Sequence, residues 1–242
     1  MVKRQIIAIG GGALPPELDN LLLVQYFLRQ TRRRKPKVAF IGAAGGDAEA
    51  GRLRFYAGFS QFECKPTHLT LFASTPRDLE SFVLEQDAIF VGGGNTRSML
   101  AVWRDWGLDR YLRTAWERGV VLGGGSAGSI CWFEHGVTDS IAGPLTALPC
   151  LGFLRGSNCP HYDSEPLRRP TFRKLVASGR IPDGVAADDG VGLHYIDGQL
   201  ARVVSSRPRA KGYRVTRSGR CAVERRLATR YLGRRHRVTS NE

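Results

Sequence analysis

Val120-Val121-Leu122-Gly123-Gly124-Gly125-Ser126-Ala127-Gly128 is the stretch that decides the fold. Its aliphatic run predicts a buried strand over Val120–Leu122, the glycines make a tight turn, and Ala127 opens a helix predicted to reach Phe133. The same grammar recurs upstream. Strands predicted at Gln5–Ile9, Lys37–Ile41 and Ala88–Val91 end in Gly10-Gly11-Gly12, Gly42-Ala43-Ala44-Gly45-Gly46 and Gly92-Gly93-Gly94-Asn95-Thr96. A fifth strand is predicted at His68–Leu71, and helices at Pro16–Gln30, Asp47–Phe59, Pro76–Leu84 and Leu108–Arg118 separate the strands. Strand and helix in alternation predict an α/β fold, a mostly parallel sheet flanked by helices. In such a sheet the site lies at the carboxyl ends of the strands, so the four glycine turns converge on one crevice.

The second half is less regular. Short strands are predicted at Asn158–His161, Val185–Ala187, Gly192–Tyr195 and Ala201–Val204, with a hairpin turning at Asp197-Gly198 and a helix over Pro166–Ser178. Gly212–Val215 and Cys221–Glu224 also read as strands. No linker or repeat divides the chain, so one domain is expected over residues 1–233, followed by a short basic tail at 234–242.

Length and composition limit the function. With 242 residues, 42% of them hydrophobic, the chain can bury a substantial core, which excludes a disordered or fibrous protein. No apolar run is long enough to cross a membrane, and Met1-Val2-Lys3-Arg4 enters the first strand without a signal-peptide pattern, so a cytoplasmic protein is expected. Five cysteines without a C-x-x-C pair suggest neither a disulfide framework nor a zinc ribbon, and the histidines and acids lack metal-ligand spacing. The formal charge of +14 is concentrated late: from Ser205 onward twelve Arg or Lys face two Glu, a net of +10. These cations are not interleaved with aromatics, which argues against a nucleic-acid surface and for a solvated basic one, with attraction of acidic substrates as the functional alternative.

The turn at Ser126 can be parsed in two ways. As Gly123-x-Gly125-x-x-Gly128 it would be a dinucleotide turn, but it follows the fifth strand and lacks the acidic residue that should end the next one. As Gly124-x-Ser126-x-Gly128 it is a nucleophile elbow, whose small neighbours permit a strained turn that lifts a serine hydroxyl above the sheet. The structural alternative is a serine that merely caps a helix. A serine nucleophile requires a histidine base and a carboxylate to orient it. His161, at a strand end, is the candidate base, because His68, His135, His194 and His236 lack an equivalent setting. Asp139, Asp188 and Asp189 are the candidate carboxylates, while Asp163 and Glu165 read as caps of the following helix.

Taken together, Val91-Gly92-Gly93-Gly94-Asn95-Thr96, Gly124-Gly125-Ser126-Ala127-Gly128 and Pro160-His161 resemble the three signatures of peptidase E, the aspartyl dipeptidase family of serine peptidases related to cyanophycinase. The resemblance extends from Gly10 to Leu232. It implies a class I glutamine amidotransferase-like fold carrying serine in place of cysteine, with Ser126 as nucleophile and His161 as base. Asp139 matches one acidic position of the triad and is slightly favoured, and Asp188-Asp189 matches the region where relatives place a glutamate. The N–H groups of Gly93, Gly94 and Ala127 would form an oxyanion hole, and Asn95, Thr96 and Arg168 would contact substrate. A small peptide is the implied substrate, with a dipeptide carrying N-terminal aspartate, held by Arg168, as the specific case the resemblance suggests, and no cofactor is required. Two other readings share these residues: a catalytically silent binding protein, and an acyl or amide transferase in which an amine replaces water.

Overall fold

The computed structural model describes residues 2–14 and 19–233. The first half runs β1 (Gln5–Ile9), α1 (Leu22–Gln30), β2 (Lys37–Ile41), α2 (Glu49–Phe59), β3 (Lys65–Leu69), α3 (Leu79–Leu84), β4 (Ala88–Val91), α4 (Thr96–Asp105), α5 (Leu108–Glu117), β5 (Val121–Gly125) and α6 (Ala127–Ile130). The second runs β6 (Phe133–Thr138), β7 (Thr146–Pro149), β8 (Leu154–Cys159), α7 (Arg168–Ala177), β9 (Gly184–Ala187), β10 (Val191–Ile196), β11 (Gln199–Ser205), β12 (Gly212–Ser218), β13 (Cys221–Arg226) and β14 (Arg230–Tyr231). The expected α/β architecture is observed. Eight strands form one sheet in the order β14-β11-β10-β1-β5-β4-β2-β3, parallel from β1 to β3. Six more form a second sheet, β13-β12-β9-β8-β6-β7.

Ile6, Ile7, Ala8 and Ile9 of β1 are fully buried, as a central strand covered on both faces must be. One apolar cluster joins Ile6, Ile89 and Leu122 of the larger sheet to Phe133, Leu154 and Val185 of the smaller, so the two sheets share a core. At the far edge, β10 and β11 form the expected hairpin: Asp197 and Gly198 both adopt positive φ, 50° and 80°, the requirement of a two-residue type I′ turn. His194, on β10, is a buried core residue. Its Nε2–H donates to Gln5 Oε1 at 3.1 Å, Nδ1 accepts from the Tyr26 hydroxyl at 2.8 Å, and burial, with help from Arg202, holds its pKa down at about 4.

Several boundaries differ from the sequence expectation for local reasons. The strand expected at His68–Leu71 is β3, ending at Leu69, because the N–H groups of Leu71 and Phe72 donate to the Asp47 carboxylate and leave the ladder. The helix expected from Pro76 starts at Leu79, with Asp78 accepting from the Ser81 N–H at 2.9 Å as its cap. The helix after Ser126 is a single turn, since Phe133 already belongs to β6. The helix expected from Pro16 is observed from Leu22; Pro15 and Pro16, and the basic tail at 234–242, lie outside the described residues. An unexpected helix, α4, follows the third glycine turn. Asn95 caps it by accepting from the Ser98 N–H, and Met99, Leu100 and Trp103 form its buried stripe, so its signal was present in the sequence.

Candidate active site

Ser126 stands between β5 and α6 with φ 58° and ψ −115°, a conformation that costs a non-glycine residue about 1–3 kcal/mol. Glycines on either side make it attainable. A Cβ on Gly124 or on Gly128 would sit 2.2 Å from the Val91 carbonyl oxygen, so only glycine lets the elbow pack against the end of β4. The Ser126 N–H donates to the Ile9 carbonyl at 3.2 Å, pinning the turn to β1. The neighbouring turn is glycine for a related reason: a Cβ on Gly93 would come within 3.1 Å of Ser126 Cβ and 3.6 Å of its Oγ. Among the described residues, the N–H groups of Gly93, which lines the cleft beside the serine, and of Gly94, the next residue of the turn, donate to no other group. The Ala127 N–H is the first of a helix and likewise has no acceptor in its own turn.

His161 arrives from the second sheet. Pro160 cannot continue the β8 ladder, the chain turns at His161 with φ 55°, and the His161 N–H donates to the Gly10 carbonyl at 3.1 Å. This places the imidazole over the end of β1. Its Nδ1–H donates to Asp189 Oδ1 at 2.8 Å. Gly11 accommodates the pair, for a Cβ there would lie 2.2 Å from Asp189 Oδ1 and 2.6 Å from His161 Nδ1. Burial pushes the Asp189 carboxyl up, but hydrogen bonds from His161 and Ser164, with the charges of His161 and Arg207, outweigh it and hold the group below the ordinary carboxylate range. Asp188, next door, points elsewhere. It accepts from the Lys211 N–H at 2.8 Å and the Tyr213 hydroxyl at 3.4 Å, and burial raises its pKa.

Ser126 and His161 line one cleft of about 310 Å³, within the size range of small-molecule sites. Phe40 and Phe90 give it apolar walls, and two glycines exist for Phe40: a Cβ on Gly42 or Gly92 would come within 2.9 or 3.0 Å of the ring. Gly92 is therefore glycine because of Phe40, while Gly93 is the position where a side chain would crowd the serine. Arg54, from α2, is the one arginine or lysine among the described lining residues.

Four expected assignments need correction. Asp139 does not meet His161; its exposed carboxylate is 3.7 Å from Arg168, and Asp189 occupies the position beside the imidazole. Arg168 does not face the cleft. It is 2% exposed, with Nε donating to Glu165 at 2.6 Å and Nη1 to the Val137 carbonyl at 2.7 Å. Asn95 uses its amide to cap α4 and to donate to the Ser140 carbonyl at 3.0 Å, Thr96 is buried, and neither lines the cleft that holds Ser126. Nor do Asp163 and Glu165 cap α7: Glu165 pairs with Arg168, and Asp163 accepts from the Asp189 N–H. Arg54 escaped notice in the sequence because it lies on α2, a helix whose apolar pattern is weak and whose approach to the cleft depends on strand order.

The sequence profile of Peptidase family S51 matches residues 6–203. The chain belongs to that family. It is 53% identical over 230 residues to the "Uncharacterized peptidase YgaJ" of Bacillus subtilis (strain 168), covering 95% of this chain and 100% of that protein. Two solved structures share the fold at low identity. A putative peptidase E protein from Listeria monocytogenes EGD-e superposes with a TM-score of 0.62 at 16% identity, covering 94% of this chain and 100% of that one. A peptidase from an acI-B1 actinobacterium gives a TM-score of 0.69 at 15% identity over 93% and 94% of the two chains. The family S51 match agrees with the peptidase E resemblance drawn from three short motifs, and family S51 membership makes the protein a peptidase. No described helix is long and apolar enough to span a membrane.

Proposed function

We propose that this peptidase hydrolyses short peptides through an acyl-enzyme on Ser126, with His161 as general base, Asp189 orienting the imidazole, and the N–H groups of Gly93, Gly94 and Ala127 receiving the oxyanion. The observation that carries the reading is the His161–Asp189 hydrogen bond in the cleft that also exposes the strained Ser126. With Nδ1–H committed to Asp189, Nε2 is the nitrogen left to take the serine proton and later deliver it to the leaving amine. Each oxyanion donor of this kind contributes about 3 kcal/mol of transition-state stabilisation. Incubation with a small fluorophosphonate should give one adduct by intact mass, mapped to Ser126 and absent from His161→Ala. A folded wild-type protein that takes up no reagent would overturn the assignment.

Strand order also suggests how a substrate lies. Along the carboxyl edge, β1, β5, β4 and β2 follow one another, so His161 sits on one side of Ser126 and the Gly42 turn with α2 on the other. His161 must reach the leaving nitrogen, which places the leaving group over β1 and the acyl residue over β2, beside Arg54. An acidic acyl residue, aspartate included, would therefore be held by Arg54 instead of Arg168. Arg54→Glu should reduce kcat/KM for acidic over neutral acyl residues by about 100-fold, the scale of one charge-assisted contact reversed. An unchanged preference across dipeptides starting with Asp, Glu, Gln and Lys would remove Arg54 from the specificity site.

A further inference from the structure

We propose that Asp163 and Arg207 form a clamp that positions the Asp189 carboxylate against His161; its catalytic consequence rests on the serine peptidase reading, its geometry does not. Asp189 lies in the turn between β9 and β10, where the chain crosses from the smaller sheet to the larger. Side chains hold both of its backbone polar groups. The Asp189 N–H donates to Asp163 Oδ1 at 2.9 Å, and its carbonyl accepts from Arg207 Nη1 at 3.0 Å. The same Nη1 donates to Asp163 Oδ2 at 2.9 Å, which closes a ring of three residues. Asp163 is two residues beyond His161, so one carboxylate ties the loop of the base to the loop of its orienting group.

The remaining contacts fix the clamp from outside. The Ser206 N–H donates to the Gly190 carbonyl at 2.8 Å, and a Cβ on Gly190 would come within 2.9 Å of Arg207 Cδ, so glycine there lets the arginine stem lie flat on the turn. The ion pair is half-exposed on the arginine side, where such pairs add little to stability. Positioning is another matter, because a misplacement of about 1 Å in a catalytic group can cost roughly 100-fold in rate. Asp163 and Arg207 are thus positioning residues: they touch Asp189 and the loops that carry it, not the reacting atoms.

The test uses the full chain as wild type, Arg207→Ala, Arg207→Lys and Asp163→Asn. Two properties are measured: the rate of fluorophosphonate acylation, and the His161 tautomer by nitrogen NMR of histidine-labelled protein, assigned with His161→Gln. The expected result is a fixed Nδ1–H tautomer in wild type that becomes mixed in Arg207→Ala, with acylation slower by about 10- to 100-fold. Arg207→Lys should recover most of both. Asp163→Asn keeps the shape and an acceptor for the Asp189 N–H while removing the acceptor for Arg207, so it should move both readouts in the same direction by less and remain folded. An Arg207→Ala protein that retains the wild-type tautomer overturns the clamp, whatever its acylation rate. A wild type with a fixed tautomer that Arg207→Ala abolishes, but with no acylation at all, upholds the clamp and removes the serine peptidase reading instead.

Discussion

Ser126→Ala should lower peptide turnover by roughly a millionfold, the loss seen when a nucleophile is deleted from a cooperating triad. The size follows from the chemistry: histidine and carboxylate have no separate route to the product once the hydroxyl is gone, and what survives comes from the oxyanion donors and binding alone. The variant should also fold normally. Alanine inherits the same positive φ of 58°, and the turn is built by Gly124 and Gly128 against Val91, so the melting temperature should stay close to that of wild type. Progress curves at high enzyme concentration, paired with thermal unfolding, make the comparison. More than about one-hundredth of wild-type turnover in a folded Ser126→Ala protein would show that another group carries the reaction, since loss of a triad member costs far more than that.

Asp189→Asn should cost about 10⁴-fold in kcat/KM, whereas Asp139→Asn should leave it within about twofold of wild type. An amide beside Nδ1 can donate a hydrogen bond where the carboxylate could only accept one. The imidazole then favours the tautomer that carries its proton on Nε2, facing the serine with a donor when an acceptor is needed. Charge adds to this, because in the proposed mechanism the carboxylate would stabilise the imidazolium formed during acylation. Asp189 is held below the ordinary carboxylate range, so it remains charged well into acid, and its contribution to stability is present above the unfolded pKa and is lost only as pH falls through the lower folded value. Asp139, exposed and facing Arg168, has no such leverage. The opposite ranking of the two variants would return the triad to Asp139.

The serine elbow was legible in the sequence because its determinants are local. Gly124 and Gly128 flank Ser126 at the spacing a strained strand-to-helix turn needs, and the turn follows an aliphatic run whose burial can be read from its composition. The Asp197-Gly198 hairpin was legible for the same reason. Helix α4 has a local signal as well, in the Asn95 cap and the Met99-Leu100-Trp103 stripe. The second sheet was not legible as a sheet. Its strands β6, β7 and β8 are short and partly polar, and their pairing order, with β8 between β6 and β9, depends on contacts far apart in the chain.

The choice of carboxylate shows where sequence information stops. Asp139 lies 13 residues from Ser126 and Asp189 lies 63 away, yet only Asp189 reaches His161, because β8 and β9 run parallel and adjacent and deliver both residues to the same end of the smaller sheet. The resemblance put Arg168 at the substrate, but the turn of α7 that carries it packs inward, where Glu165 and the Val137 carbonyl consume its donors. Arg54, more than 100 residues from His161, shares its cleft. The sequence by itself determined the fold class and the strained turn at Ser126, and singled out Ser126 and His161 as the proposed nucleophile and base, since glycine spacing and apolar runs act over a few residues. Only the tertiary structure brought Asp189 to His161, Arg54 into the cleft and Arg207 onto Asp163, because each contact depends on which strand ends the two sheets bring side by side.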